Sequence, residues 1–152
     1  NLRLYNSDSV DFWEQVKFKI KHRPLPLFRW YDSGDIPDAD FFVGMVELAN
    51  TFPEISFMAF TKKYEIVNNW IDKNGKLPDN FNVMFSAWHV GWKVDNPHNL
   101  PVGYVDFKDK TLNPEFPKGI TGCPNQRDKT ITCSTCRKCF NKKIMSVKFD
   151  QH

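Results

Sequence analysis

Four cysteines near the C-terminal end of this 152-residue chain are spaced so that their sulfur atoms can share one inorganic centre. They form the pattern C-x9-C-x2-C-x2-C. A gap of two residues lets two thiolates reach the same metal ion or cluster, and the second such gap adds a third ligand. The sequence therefore predicts a metal site made of Cys123, Cys133, Cys136 and Cys139.

Two cofactors fit this spacing. A tandem C-x2-C-x2-C run is typical of proteins that bind a [4Fe–4S] cluster, whereas structural zinc more often uses two separated C-x2-C pairs. We therefore expect an iron–sulfur cluster, with zinc as the alternative. Disulfides are disfavoured because three of the cysteines lie within seven residues of one another and nothing in the sequence indicates an oxidising compartment.

The basic charge of the chain is concentrated around these cysteines. Residues 118–152 carry eight Lys or Arg and two Asp side chains, a net charge of +6, whereas residues 1–117 have a net charge of −3. The cations either offset the negative charge of the thiolates or contact the phosphates of a nucleic acid. The residues that would make such contacts are Arg137, Lys138, Lys142 and Lys143.

A second group of polar residues follows the predicted strands. In parallel α/β sheets ligands bind at the carboxyl ends of the strands, so we expect a substrate pocket there. Asp32 or Asp35 would bind a hydroxyl or an amine, and Lys62 would bind an anionic group. Turn and helix-cap chemistry explains the same residue types equally well. The candidate pocket residues are Arg29, Asp32, Ser33, Asp35, Thr61, Lys62 and Ser86.

Two tryptophans, Trp88 and Trp92, lie in a loop rich in Gly, Asn and Pro after the third predicted strand. Indole rings in such a loop can stack on a nucleobase or on a substrate ring. Packing against the core, or as a lid, is the more common use of large aromatic side chains, and we favour it for both residues.

The elements that would position these residues alternate along the chain. Apolar side chains recur at helical spacing in three stretches, which predicts helices over residues 7–22, 40–52 and 62–74. Apolar runs predict strands over residues 25–31, 55–60, 81–88 and 102–107. The predicted helix caps are Ser7 or Ser9, Asp38 or Asp40, and Thr61 at the starts, and Gly75 at the end of the third helix.

Strand, helix and strand in this order imply parallel pairing of the strands. We predict an α/β fold in which three to four parallel β-α units form an open sheet or an incomplete barrel, because so few units cannot close an eight-stranded barrel. The core would span residues 1–112, and residues 113–152 would form a four-cysteine metal-binding module packed on it within a single structural domain.

Composition excludes two classes of protein. A chain that is 41% hydrophobic and 15% aromatic has enough apolar bulk to form a core, which excludes intrinsic disorder. No stretch approaches the roughly 18 consecutive apolar residues that span a bilayer, and nothing at the start of the given sequence has the pattern of a secretory signal. We expect a cytoplasmic protein.

Several of these segments together resemble the phage gene product 88 family. The resemblance covers nearly the whole chain and implies an origin in a phage, prophage or mobile element, and so the cytoplasm of a bacterial host. The segments are Phe28-Arg29-Trp30, Asp32-Ser33-Gly34-Asp35-Ile36, Phe60-Thr61-Lys62, Leu77-Pro78-Asp79-Asn80 and Cys123-Pro124 with the three later cysteines.

Members of that family begin with a further cysteine segment ending in Cys-Tyr-Ala, ahead of the point where this sequence starts. Such a segment on an α/β core is similar to the radical S-adenosylmethionine enzymes. The resemblance implies an iron–sulfur enzyme acting on a nucleotide or nucleic acid, with an auxiliary cluster at the four C-terminal cysteines, in a form that is shortened or has lost its catalytic cluster. The alternative is a non-enzymatic, zinc-stapled module that binds nucleic acid through its basic tail.

Overall fold

The computed structural model describes residues 2–23, 25–31, 33–109, 111, 116 and 119–151, with only the backbone described at residues 2 and 3. The strands are β1 Leu27–Arg29, β2 Ser56–Thr61, β3 Phe81–Ala87, β4 Val102–Asp106, β5 Thr121–Gly122 and β6 Ser146–Asp150. The helices are α1 Leu2–Ser7, α2 Ser9–His22, α3 Ala39–Thr51, α4 Tyr64–Asn74, α5 Pro124–Arg127 and α6 Cys133–Cys136, followed by a 3₁₀ helix over Lys138–Phe140.

The six strands form one parallel sheet in the order β1-β2-β3-β4-β6-β5. One face of the sheet packs against helices. Alternate residues of the central strands, such as Phe57 and Phe85, are fully buried in one hydrophobic cluster with side chains of α2, α3 and α4. The residues between them, such as Met58 and Met84, are also buried although they point to the other face. Burial on both faces explains why β2 and β3 are almost continuously apolar.

The sheet curls into a half-barrel whose concave face is the one without these helices. The ring centroids of Phe60 in β2 and Phe149 in β6 are 5.3 Å apart although β3 and β4 lie between the two strands. In a flat sheet strands three places apart are separated by about 14 Å. Gly103 permits the approach, because a Cβ atom there would lie 3.1 Å from the Phe60 ring and 3.4 Å from the Phe149 ring.

The predicted α/β class and incomplete barrel are confirmed, but the sheet has six strands rather than three or four. The prediction missed β5 and β6, and it missed α1. The pairing of β4 with β6 continues the sheet of the core into the cysteine-rich segment. Among the described residues, no helix is both long enough and apolar enough to cross a membrane.

Two of the predicted helix caps are wrong. Asp8 caps α2 by accepting from the Asp11 N–H at 2.9 Å, in place of Ser7 or Ser9. Thr61 is the last residue of β2, and the N-cap position of α4 falls at Lys63, where no side chain caps the helix. Asp38 at the start of α3 and Gly75 at the end of α4 are confirmed, the latter with a φ of 91°.

Candidate functional site

The four cysteines come from three short elements of the C-terminal segment. Cys123 follows β5, and its N–H donates to the carbonyl of Lys148 in β6 at 3.0 Å. Cys133 and Cys136 are the first and last residues of α6, and Cys139 lies in the 3₁₀ helix. All four are free thiols.

Local hydrogen bonds fold these elements back on one another. The α6 helix begins with a capping box, in which the Thr135 N–H donates to the Thr132 hydroxyl and the Thr132 N–H donates to the Thr135 hydroxyl. It ends at Arg137, whose φ of 54° is left-handed and reverses the chain direction. Asn125 closes the preceding loop by donating to the Ile131 carbonyl at 2.7 Å.

All four cysteines line one cavity. Its volume is about 360 Å³, counting the space at its open mouth. Burial, and to a smaller extent the other three cysteines, raise the pKa of the Cys139 thiol to about 11, although Arg29 acts in the opposite direction. The remaining lining residues are Pro124, Asn125, Thr132, Arg137, Lys138, Phe140 and Val147.

The convergence of the cysteines therefore agrees with the sequence, but the metal site itself stays a prediction. Among the described residues, no group of three or more His, Cys, Asp or Glu side chains is arranged so that it could hold a metal ion. A single tetrahedral zinc ion needs its four sulfur atoms about 3.8 Å apart, because the Zn–S bond is about 2.3 Å.

The cysteine cavity is fixed to the concave face of the half-barrel. Asn82 in β3 is 3% exposed, and its side-chain N–H donates to the carbonyl of Cys139 at 2.7 Å. The 3₁₀ helix contacts both β2 and β3. Sequence reasoning missed Asn82, although a polar residue inside the apolar run Phe81 to Phe85 is a signal for a specific buried partner.

Arg29 lies beside this attachment. Met58 is the lateral partner of Arg29 in one neighbouring strand pair and of Asn82 in the next, so the three residues form one row across β1, β2 and β3. The Arg29 guanidinium also lies over the Phe60 ring, 5.6 Å from its centroid. The row places the cation of a predicted pocket residue next to the element that carries Cys139.

A protein-family model described as Gene product 88 matches residues 1–142. The chain belongs to the Gene product 88 family. This confirms the resemblance that the sequence motifs indicated, and the matched range includes all four cysteines and every residue of the predicted pocket. No curated protein matches the chain, and neither does any solved structure.

In this member of the Gene product 88 family, Asp35 and Thr61 join two loops at the carboxyl edge of the sheet. Asp35 accepts hydrogen bonds from the Thr61 hydroxyl, from the Lys62 N–H at 2.8 Å and from the Ile36 N–H at 2.7 Å. Thr61 is 1% exposed and also accepts from the Lys63 N–H. These contacts hold the two loops in position. They are of the kind that turns and helix caps use, but they join residues that are far apart in the sequence.

The other predicted pocket residues are placed differently. Lys62 is exposed, and its ammonium lies 4.6 Å from the centroid of the Trp88 ring. Ser86 is half-buried, and its carbonyl accepts from the Tyr64 hydroxyl. Ser33 is exposed, and Asp32 lies outside the described residues. Whether this edge binds a substrate stays a prediction.

The basic residues of the tail fall into two groups in this Gene product 88 chain. Arg137 and Lys138 line the cysteine cavity, where they would offset the charge of thiolates bound to a metal. Lys142 lies away from it and donates to the carbonyl of Pro78 at 2.7 Å, and Lys143 is exposed. The charge-compensating alternative therefore suits the first pair.

Asp35→Ala is expected to lower the free energy of unfolding by about 2–3 kcal/mol, because it leaves the buried Thr61 hydroxyl and the Lys62 N–H without their acceptor. Urea denaturation followed by circular dichroism measures the change. Ser33→Ala is the matched control in the same loop and should change stability by less than about 0.5 kcal/mol. Equal stability of the two variants would show that Asp35 does not hold the edge together.

Proposed function

We propose that this chain is an iron–sulfur protein in which Cys123, Cys133, Cys136 and Cys139 hold a [4Fe–4S] cluster. The single observation that supports the proposal most is the shared cavity, which collects cysteines from three elements and is fixed to the sheet through Asn82. The partner we infer is a nucleotide or nucleic acid, taken up by the half-barrel in the cytoplasm of a bacterial host. Free thiols persist in such a reducing compartment.

The donor set fits a cluster better than it fits one zinc ion. A four-iron cluster takes one thiolate at each of four separate iron atoms, so its ligands stand further apart than those of zinc. The cavity brings four cysteines to one place, as either group requires. The tandem C-x2-C-x2-C spacing favours the cluster.

The remaining residues of the cavity would protect the group and balance its charge. Val147, which is 1% exposed, and Phe140 would shield the sulfur atoms from water. Arg137, Lys138 and Arg29 would offset the negative charge of the four thiolates. When bound, an iron–sulfur cluster supplies one-electron transfer.

At the other end of the concave face, Asp35 would position Lys62 rather than touch the substrate, because three hydrogen bonds already engage its carboxylate. Lys62 would then bind an anionic group, as the sequence predicts. Arg29 stands between the two regions by its place in the row with Met58 and Asn82. The residues that bind the partner and the proposed cluster would therefore lie on the same concave surface.

A second candidate function is a zinc-stapled module that binds nucleic acid through the basic tail. The exposure of Lys143 and Arg137 favours it. In that case Arg137→Ala with Lys138→Ala should weaken nucleic-acid binding and flatten its salt dependence.

Metal analysis of protein purified without oxygen tests the proposal. We expect about four iron atoms and about four acid-labile sulfides per chain, with broad visible absorption that bleaches on reduction. Colourless protein with about one zinc ion per chain would replace the cluster by the second candidate. Protein that holds neither metal, after reconstitution with iron and sulfide, would refute both forms of the metal site.

A further inference from the structure

Two exposed tryptophans stand at the carboxyl edge of the sheet. Trp88 and Trp92 lie in the loop after β3, and they are 47% and 43% exposed. The other three tryptophans of the chain are buried or half-buried. The sequence favours core or lid packing for this pair, and rings as exposed as these are not part of the core.

The Trp92 ring is held in place from beneath. The Trp92 side chain is hydrogen-bonded to the Tyr64 hydroxyl, which donates in turn to the Ser86 carbonyl. The Trp92 backbone N–H donates to the His89 carbonyl at 3.1 Å, and the His89 and Trp92 rings pack edge to face with centroids 5.6 Å apart. An exposed ring that is already ordered loses little conformational entropy when a ligand stacks on it.

One lysine contacts a ring of this pair, and two more lysines adjoin these residues in the sequence. The Lys62 ammonium lies 4.6 Å from the Trp88 centroid, and its backbone is tied to Asp35. Lys63 follows Lys62, Lys93 follows Trp92, and all three lysines are exposed. We call Lys62, Lys63, Trp88, Trp92 and Lys93 the tryptophan rim.

We propose that the tryptophan rim binds single-stranded nucleic acid, with bases stacked on Trp88 and Trp92 and phosphates beside the lysines. Stacking on aromatic side chains contributes about 1–3 kcal/mol per base and needs bases that are free of a duplex. Protein–protein interfaces are enriched in tryptophan but depleted in lysine, so three lysines among two tryptophans favour a polyanion over a protein partner. The carboxyl edge is also where parallel α/β sheets bind ligands.

This proposal is independent of the cluster, because none of the five rim residues lines the cysteine cavity. It is also distinct from binding by the basic tail, whose Lys142 lies near the opposite edge. Lys142 contacts Pro78 just before β3 begins, whereas Trp88 follows the end of that strand.

Titration of the full-length protein with a fluorescein-labelled 12-nucleotide oligothymidine, at several salt concentrations, tests the rim. We expect quenching of tryptophan fluorescence and binding that weakens as salt rises. Trp88→Ala and Trp92→Ala should each weaken binding by about 5- to 100-fold. Lys62→Gln should reduce the slope of log affinity against log salt by about 0.7.

Phe18→Ala is the matched control, since Phe18 is 60% exposed among Lys17, Lys19 and Lys21 on α2 and should leave binding unchanged. Thermal melting checks that each variant folds, and Trp88→Phe, which keeps an aromatic face, should retain most of the affinity. Wild-type affinity in both tryptophan variants, or equal binding of duplex DNA, would overturn the proposal.

Iron analysis of the same samples separates the two proposals. Rim-dependent binding by protein that cannot be loaded with iron would refute the proposed cluster and leave the rim standing. Protein that is loaded with iron but does not bind the oligothymidine would refute the rim and leave the proposed cluster standing. Binding abolished only by Arg137→Ala with Lys138→Ala would assign the nucleic acid to the tail and overturn the rim.

Discussion

Cys139→Ser is expected to reduce the iron content of the purified protein at least tenfold. Cys139 lies in the 3₁₀ helix that contacts β2 and β3, and its carbonyl accepts from the buried Asn82 side chain. These contacts attach Cys139 to the half-barrel. A serine hydroxyl stays protonated at neutral pH and is a far weaker ligand for iron than a thiolate.

Iron and acid-labile sulfide per chain, measured after oxygen-free purification and after reconstitution, give the result. Ser134→Ala is the matched control, because Ser134 lies within α6 between two cysteines and is exposed. It should retain iron as the wild type does. Circular dichroism should show that Cys139→Ser keeps the sheet, since the core cluster contains none of the cysteines.

Cys133→Ser gives a graded comparison. Cys133 is the exposed member of the set, and solvent or another ligand can replace a thiolate more easily there. We expect partial loss of iron and greater sensitivity to oxygen. If both Cys139→Ser and Cys133→Ser kept the full iron content, the four cysteines would not be the ligands.

The sequence predicted the first four strands because their patterns are strong. The runs 55–60 and 81–88 are apolar on both faces, which is what a parallel strand covered on both sides requires. The last two strands carry no such pattern. The strand β5 has only two residues. Ser146–Asp150 alternates between polar and apolar residues, which is the pattern of a strand with one buried face, but the pattern is only five residues long and the prediction missed it. Its pairing with β4 places it in the sheet.

The candidate site was predictable as a set of residues but not as an arrangement. Cysteine spacing indicated that the four thiols converge, since local geometry controls most of that convergence. The place of Arg29 next to Cys139 depends on the register of three strands, which no local pattern encodes. The role of Asp35 was likewise hidden, because an Asp in a turn looks the same whether it caps a helix or bonds to Thr61.

The second large effect is expected from Arg29. Arg29→Glu should speed the release of iron to a chelator by about 30-fold and lower the reduction potential of the cluster. A unit charge roughly 10 Å from another contributes about 1.7 kcal/mol at an effective dielectric constant of about 20. Solvent screening at this exposed residue reduces that energy to about 1 kcal/mol per unit of charge. The substitution changes the charge by two units, so the total effect is about 2 kcal/mol, which corresponds to about 30-fold.

Two further variants separate charge from packing. Arg29→Lys keeps the charge but not the planar group over the Phe60 ring, and it should retain the wild-type potential within error. Arg23→Glu makes the same change of net charge at an exposed residue that does not line the cysteine cavity, and it should leave iron release unchanged.

The outcomes discriminate between three roles of Arg29. A potential that falls in Arg29→Glu, stays in Arg29→Lys and stays in Arg23→Glu identifies a local electrostatic effect on the cluster. An equal fall of the reduction potential in Arg29→Glu and Arg29→Lys would instead assign the effect to the stacking on Phe60. Arg29 would then act through the packing of the concave face. Iron release unaffected in every variant would place Arg29 outside the influence of the metal, and the row formed with Met58 and Asn82 would then serve the sheet alone.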